Sequence, residues 1–226
     1  VAAAEEHLPA WLRETEGESR EIIVLAMVLA IASQTLLPDR LALGSRYILP
    51  SIELALLVIL TVANPIRLKR QHPLLRMTSL ALVGVMSLAN TTSAVMLVHE
   101  IAVGTAAGGA PKLLATGAEI YLTNIVAFGL WYWEFDRGGP FTRMSGTEPY
   151  PDFLFAQMSS PELADPDWEP FFADYLYVSF TNATAFSPTD TLPMSRWAKG
   201  LMAVQSGVAL ITVAFVLARA VNILHG

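Results

Sequence analysis

Five apolar runs, residues 21–37, 47–63, 77–103, 113–133 and 197–224, constrain this chain more than any other feature. A bilayer's hydrocarbon core is about 30 Å thick, and a helix needs about 20 residues to cross it. Backbone in lipid must satisfy its own hydrogen bonds, so such runs fold as helices. Only 15% of the residues are charged, against about 25% in soluble domains. The expected fold class is an all-α integral membrane protein: about five transmembrane helices, one re-entrant half-helix, and an amphipathic helix at the N-terminus. The first run is marginal in length and would cross with little tilt.

Breakers and charge mark the borders. Pro38 ends the first run. Pro50 stands in the first turn of the second, where a missing N–H costs nothing. Asn64 and Pro65 end that run, and a short loop with Arg67, Lys69, Arg70 and Arg76 follows. Residues 104–111 (GTAAGGAP) form a flexible connection. The fourth run ends in Trp131, Tyr132 and Trp133, which read as an interfacial aromatic belt, and DRGGP at 136–140 stops it. The organisation is therefore residues 1–20, an amphipathic segment; 21–136, four transmembrane helices; 137–170, an acidic Pro/Gly-rich linker; and 171–226, a pore-loop-like segment with a final helix.

In residues 1–20, Leu8, Trp11 and Leu12 share a helical face among five glutamates. The expected structure is a helix lying at the membrane interface, anchored by Trp11. Five Glu and two Arg do not make a secretory signal. The linker has no helical period and is expected to run over the membrane surface, with Phe153, Leu154, Phe155 and Trp168 touching protein or headgroups. The Lys/Arg distribution puts the loop holding Arg67, Lys69 and Arg70 in the cytoplasm, and the N-terminus with it.

Several functions are excluded at this level. From Asp136 to Asp190 there are nine acidic residues against two arginines, which is no surface for nucleic acid. There is no cysteine, and the four histidines are scattered, so neither a metal nor a cofactor is expected. No HExxH, GxSxG, P-loop or dinucleotide fingerprint occurs, so no enzyme activity is expected.

Polar residues inside apolar runs are expensive and usually face protein or water. Glu119 forms a stripe with Thr116 and Thr123, beside Asn124, and reads either as a cation or proton site or as an interhelical hydrogen bond. Asn90 and Thr92 make a mid-span polar belt. Gly84, Ser87 and Thr91 recur at the spacing of close helix packing. Glu53, in the first turn of its run, reads as an interfacial carboxylate.

Residues 171–193 (FFADYLYVSFTNATAFSPTDTLP) are too polar for a span and too apolar for a loop. Phe171, Tyr175, Val178 and Asn182 share one face of a short helix. Pro188 breaks it, and an oxygen-rich turn follows. A half-helix ending inside a membrane must line water or be buried in protein. Thr181, Thr184, Ser187, Thr189 and Asp190 are the candidate pore and ion-binding residues.

Residues 172–224 resemble the pore-loop module of the potassium-channel superfamily. Thr181 and Thr184 fall where that family has its threonines, Asp190 where its aspartate follows the filter, and Pro193 where its outer-mouth proline lies. Residues 185–189 (AFSPT) replace the glycine-rich filter. Glycine allows the backbone to point successive carbonyls at an ion, so potassium selectivity is not implied. The chain as a whole resembles uncharacterised bacterial multi-pass membrane proteins carrying WYWE-D-RGGP, PDFLFxQM and YLYxSFTNxTAFSPTDT. These resemblances imply a bacterial inner-membrane protein, channel-like, working as a homo-oligomer with a tetramer favoured, and conducting monovalent cations. A non-conducting structural or accessory subunit and a small-solute transporter using Glu119 and Asn124 are the alternatives.

Overall fold

In a computed structural model the described residues are 9–63, 73–106, 109–184 and 190–225. Among them are eight α-helices: α1 (Glu21–Gln34), α2 (Ile48–Ala63), α3 (Pro73–Ala102), α4 (Ala110–Phe135), α5 (Pro140–Met144), α6 (Ala156–Ser159), α7 (Phe172–Thr184) and α8 (Arg196–His225). Two short strands, β1 (Phe153–Leu154) and β2 (Leu192–Pro193), pair antiparallel, Phe153 opposite Pro193. The fold is all-helical, and α3, α4 and α8 are long and apolar enough to cross a membrane. α1 and α2 are apolar but have only 14 and 16 residues, or about 21 and 24 Å at a rise of 1.5 Å per residue.

α4 is the central helix and packs on α1, α3, α7 and α8. Two of its glycines explain how closely the others approach. A Cβ on Gly117 would lie 2.8 Å from Val216 Cγ1 of α8, and one on Gly129 would lie 3.2 Å from the Leu176 Cα of α7. Small residues let helix backbones meet without side chains between them. The expected packing stripe in α3 is not such a contact. A Cβ on Gly84 would meet nothing within 4 Å, and Thr91 is exposed. Ser87 instead accepts a hydrogen bond from Trp131 Nε1 at 2.8 Å.

At the end of α4 the aromatic belt turns inward. Tyr132 and Trp133 are buried, because the linker and the following helix supply aromatic partners. The rings of Tyr132 and Phe153 lie 4.9 Å apart, and Phe172 meets Trp133 edge-on at 6.3 Å. The DRGGP turn makes this possible. Arg137, Gly138 and Gly139 take left-handed φ values of 52°, 78° and 98°. A Cβ on Gly139 would sit 2.9 Å from the Glu134 carbonyl oxygen, so glycine is required there. Arg137 is held in its strained conformation by Asp152 Oδ2, which accepts its backbone N–H at 3.0 Å, and by the Glu148 carbonyl, which accepts its Nε at 2.7 Å.

The expected N-terminal amphipathic helix is not formed over residues 9–20, which hold one 3-10 turn, Ala10–Leu12. Beyond that turn, these residues make several contacts to the linker. Arg13 pairs with Asp167, Thr15 Oγ1 donates to Glu169 Oε2 at 2.9 Å, and the Thr15 N–H donates to the Met144 carbonyl. Trp11 lies under the Arg137 guanidinium, 5.5 Å from its ring centroid.

The linker packs as a cap, and Phe153, Leu154, Phe155 and Trp168 touch protein as expected. It contains α5, α6 and β1, and buries Phe153, Phe155 and Met158 in the main core. Asp136, wholly buried, organises it. Asp136 accepts the backbone N–H groups of Asp152 and Phe153 and the Tyr175 hydroxyl at 2.6 Å. Arg143 donates to the carbonyls of Trp133 and Asp136 and lies 4.9 Å from the Tyr175 ring. The basic residues Arg67, Lys69 and Arg70 lie outside the described residues.

Candidate functional site

α7 runs antiparallel to α4. Tyr175 near its start meets Asp136 at the end of α4, and Ser179 one turn deeper donates to the Ile125 carbonyl at 2.6 Å. α7 stops after 13 residues at Thr184. When the chain is described again, Leu192 and Pro193 pair with β1, and Phe153 of β1 packs on Tyr132, Tyr175 and Trp197. The start of α7 and the strand β2 therefore lie at the same end of the bundle. α8 then descends parallel to α7, with Gln205 beside Ser179 and Asn182.

The buried face of α7 is close to the one the sequence pattern marks. Tyr175 and Val178 are buried, but Phe172 replaces Phe171, which is 41% exposed. The polar members of that face are engaged within the chain. Gln205 Oε1 accepts the Tyr132 hydroxyl at 2.5 Å and Asn182 Nδ2 at 2.7 Å, while Gln205 Nε2 donates to Ser179 Oγ at 2.6 Å. Ser206 Oγ donates to Asn182 Oδ1 at 3.0 Å. This network ties α7 to α4 and α8.

Of the candidate pore residues, Thr181 donates its hydroxyl to the Tyr177 and Val178 carbonyls, and Thr184 donates to the Thr181 carbonyl. Both hydroxyls close onto their own helix. Asp190 is exposed just before β2. Ser187 and Thr189, like Pro188, lie outside the described residues.

The intramembrane polar residues fall in different places. Glu119 Oε1 accepts Thr123 Oγ1 at 3.3 Å, the i+4 partner the stripe foresees, and also Ser33 Oγ of α1 at 3.2 Å. Glu119 Oε2 is buried without a hydrogen-bond partner. Asn124 and Asn90 are both buried, and among the described residues no hydrogen bond joins either to Glu119. Glu53 is fully buried, not interfacial, and accepts Gln34 Nε2 at 2.7 Å. The connection between α1 and α2 folds over this end of the bundle and covers it. Ser33 and Gln34 thus carry the last turn of α1 between a carboxylate of α4 and one of α2. Sequence reasoning missed both bonds, since a serine and a glutamine ending an apolar run carry no periodic signal.

Between α1, α4 and α7 lies a groove of about 640 Å³, lined by Leu29, Ser33, Thr123, Ala173, Leu176 and Phe180 among others. Its walls are apolar except at one end, where Ser33 and Thr123 stand in front of Glu119.

Outside the spanning segments, the carboxylates at the linker end are burdened by burial. Burial pushes Glu18 up to about 7, although the Phe172 N–H, Trp133 Nε1 and the Arg143 charge favour its ionised form. Glu169 is raised by burial too, against Thr15 and three arginines.

No family model, curated protein or solved structure matches the chain. Fold and site define a class: an all-helical chain with three helices long and apolar enough to span a membrane.

Proposed function

We propose that the chain is a channel-like, multi-pass protein of the bacterial inner membrane, in which α1, α2, α3, α4 and α8 cross and α7 is re-entrant. Copies of the chain, four in the favoured assembly, bring the residues that follow Thr184 together to make a path for monovalent cations of unspecified selectivity. One observation carries this reading: α7 enters the bundle beside the end of α4, and β2 returns to that same end. Asp190, exposed just before β2, supplies a negative charge for the path. The resemblance of residues 172–224 to pore-loop channels supports the same assignment. The acidic residues between 136 and 190 would concentrate cations at the mouth.

The test is electrical. Purified protein in planar bilayers should give single-channel currents, and Asp190→Asn should lower cation over anion selectivity. Silent bilayers from a verified oligomer would refute it. A second reading, a non-conducting accessory subunit, is favoured by the Tyr132–Gln205–Asn182–Ser179 network, which consumes the polar face of α7 inside one chain. It requires a partner protein that co-purifies in mild detergent together with silent bilayers.

A further inference from the structure

We infer that the groove between α1, α4 and α7 is a binding site for a lipophilic organic cation, a molecule with one positive charge on an apolar body, that enters from the side. This does not require the chain to conduct. The groove holds about 640 Å³, within the range of small-molecule sites, which are mostly apolar with a few placed polar groups. Leu29, Val126, Leu176 and Phe180 supply the apolar walls. The rim residues Leu122, Tyr177 and Phe180 are exposed at 59%, 52% and 49%, so the groove opens sideways, where α4 and α7 would meet lipid.

The charge at its end selects the ligand. Ser33 and Thr123 line the groove and both donate to Glu119 Oε1. Among the described residues the other carboxylate oxygen has no hydrogen-bond partner, and no Lys, Arg or His forms an ion pair with Glu119. A carboxylate in an apolar setting without a counter-charge is expensive. A cation seated at the Ser33–Thr123 end supplies one, and its apolar body fills the space between α1 and α7. Tyr177 and Phe180 also line the groove, and aromatic side chains favour a cation over a neutral molecule of the same shape. An anionic or zwitterionic lipid headgroup would instead set negative charge against Glu119.

Tetraphenylphosphonium, a monovalent apolar cation, is a direct probe, and triphenylphosphine oxide is a neutral counterpart. Each is titrated into the full chain in nanodiscs of neutral lipid, with empty nanodiscs subtracted. The expected result is saturable binding of the cation at one site per chain, with the neutral compound at least about tenfold weaker. Glu119→Gln keeps an acceptor for Ser33 and Thr123 and should weaken the cation by about tenfold or more while leaving the neutral compound unchanged. Ala173→Trp, at an exposed position on the groove wall, should weaken both compounds without touching the carboxylate. Equal affinity for the two compounds, an unaffected Glu119→Gln variant, or no saturable binding to the folded wild type overturns the assignment.

Discussion

Glu18 lies outside the helices able to cross a membrane, yet it joins two elements of the bundle. Its Oε2 accepts Trp133 Nε1 of α4 at 3.0 Å, and its Oε1 accepts the N–H of Phe172, the first residue of α7, at 2.8 Å. A negative charge there also complements the positive end of the α7 dipole. Burial nevertheless dominates and lifts its pKa from 4.5 to about 7. The folded state then holds this proton more tightly than the unfolded chain does. The corresponding stability is fully present below pH 4.5 and is lost as pH rises through about 7, with a ceiling of about 3 kcal/mol. The thermal midpoint of the purified protein should therefore fall between pH 5 and pH 8, and Glu18→Gln should flatten part of that fall. Some slope should remain from Glu169, raised in the same direction. A Glu18→Gln variant with the full wild-type slope would show that this carboxyl does not titrate in that window. Nothing in the sequence separates Glu18 from its four neighbouring glutamates. Its partners are 115 and 154 residues away, and local periodicity carries no information at that range. The same holds for Ser33, whose partner Glu119 is 86 residues distant. By contrast the Glu119–Thr123 contact and the buried positions Tyr175 and Val178 follow from helical spacing alone, and the sequence marks them.

At the scale of the element, α7 is a 13-residue helix with a polar flank. In isolation such a length is marginal, so its order comes from its surroundings. Gln205 is the hub: wholly buried on α8, it serves the Tyr132 hydroxyl, the Asn182 amide and Ser179 at once. Gln205→Leu keeps the volume approximately but removes every one of those partners. A buried polar group left unpaired costs about 1–3 kcal/mol. Ser179 keeps its bond to the Ile125 carbonyl and Asn182 its bond to the Met202 carbonyl, so the expected loss is about 2–4 kcal/mol rather than three full penalties. Leu210→Ala, on the exposed side of the same helix, should change stability by less than about 1 kcal/mol. Chemical unfolding in detergent measures both. Equal effects would mean that the network does not hold α7 in place. Sequence patterning reaches the short helix, because periodicity is a local signal; the break expected at Pro188 lies outside the described residues. It does not reach the hub, since a single glutamine in a long apolar run reads only as an interruption.

For the whole molecule, the decisive quantity is how many times the chain crosses. Composition and length identify three candidate spans, and the proposed topology adds α1 and α2 as crossings and turns the chain back after α7. Arg40 pairs with Glu100 at 3.0 Å, placing the α1–α2 connection and the end of α3 together at one end of the bundle. The linker, residues 9–20 and β2 lie together at the other. Because the chain has no cysteine, single-cysteine variants read this arrangement without background. Tyr150, Met194, Leu36 and Val103 are exposed at 85%, 53%, 79% and 54%, and none is needed for packing. With a membrane-impermeant thiol reagent on sealed vesicles of known orientation, Tyr150→Cys and Met194→Cys should react from one face. Leu36→Cys and Val103→Cys should react from the opposite face. Each position separates two topologies. If residues 171–193 crossed fully, Met194→Cys would react together with Val103→Cys, and the re-entrant reading would fall. If α1 and α2, at about 21 and 24 Å, lay within one leaflet instead of crossing, Leu36→Cys would react from the Tyr150 side. A core of about 30 Å exceeds both helices, so their crossing requires the bilayer to thin around them or the connecting residues 35–47 to cover the remaining depth below the headgroups, at a modest cost per ångström of mismatch. The Arg40–Glu100 pair favours the second route, because it fixes that connection at the depth where the far longer α3 ends.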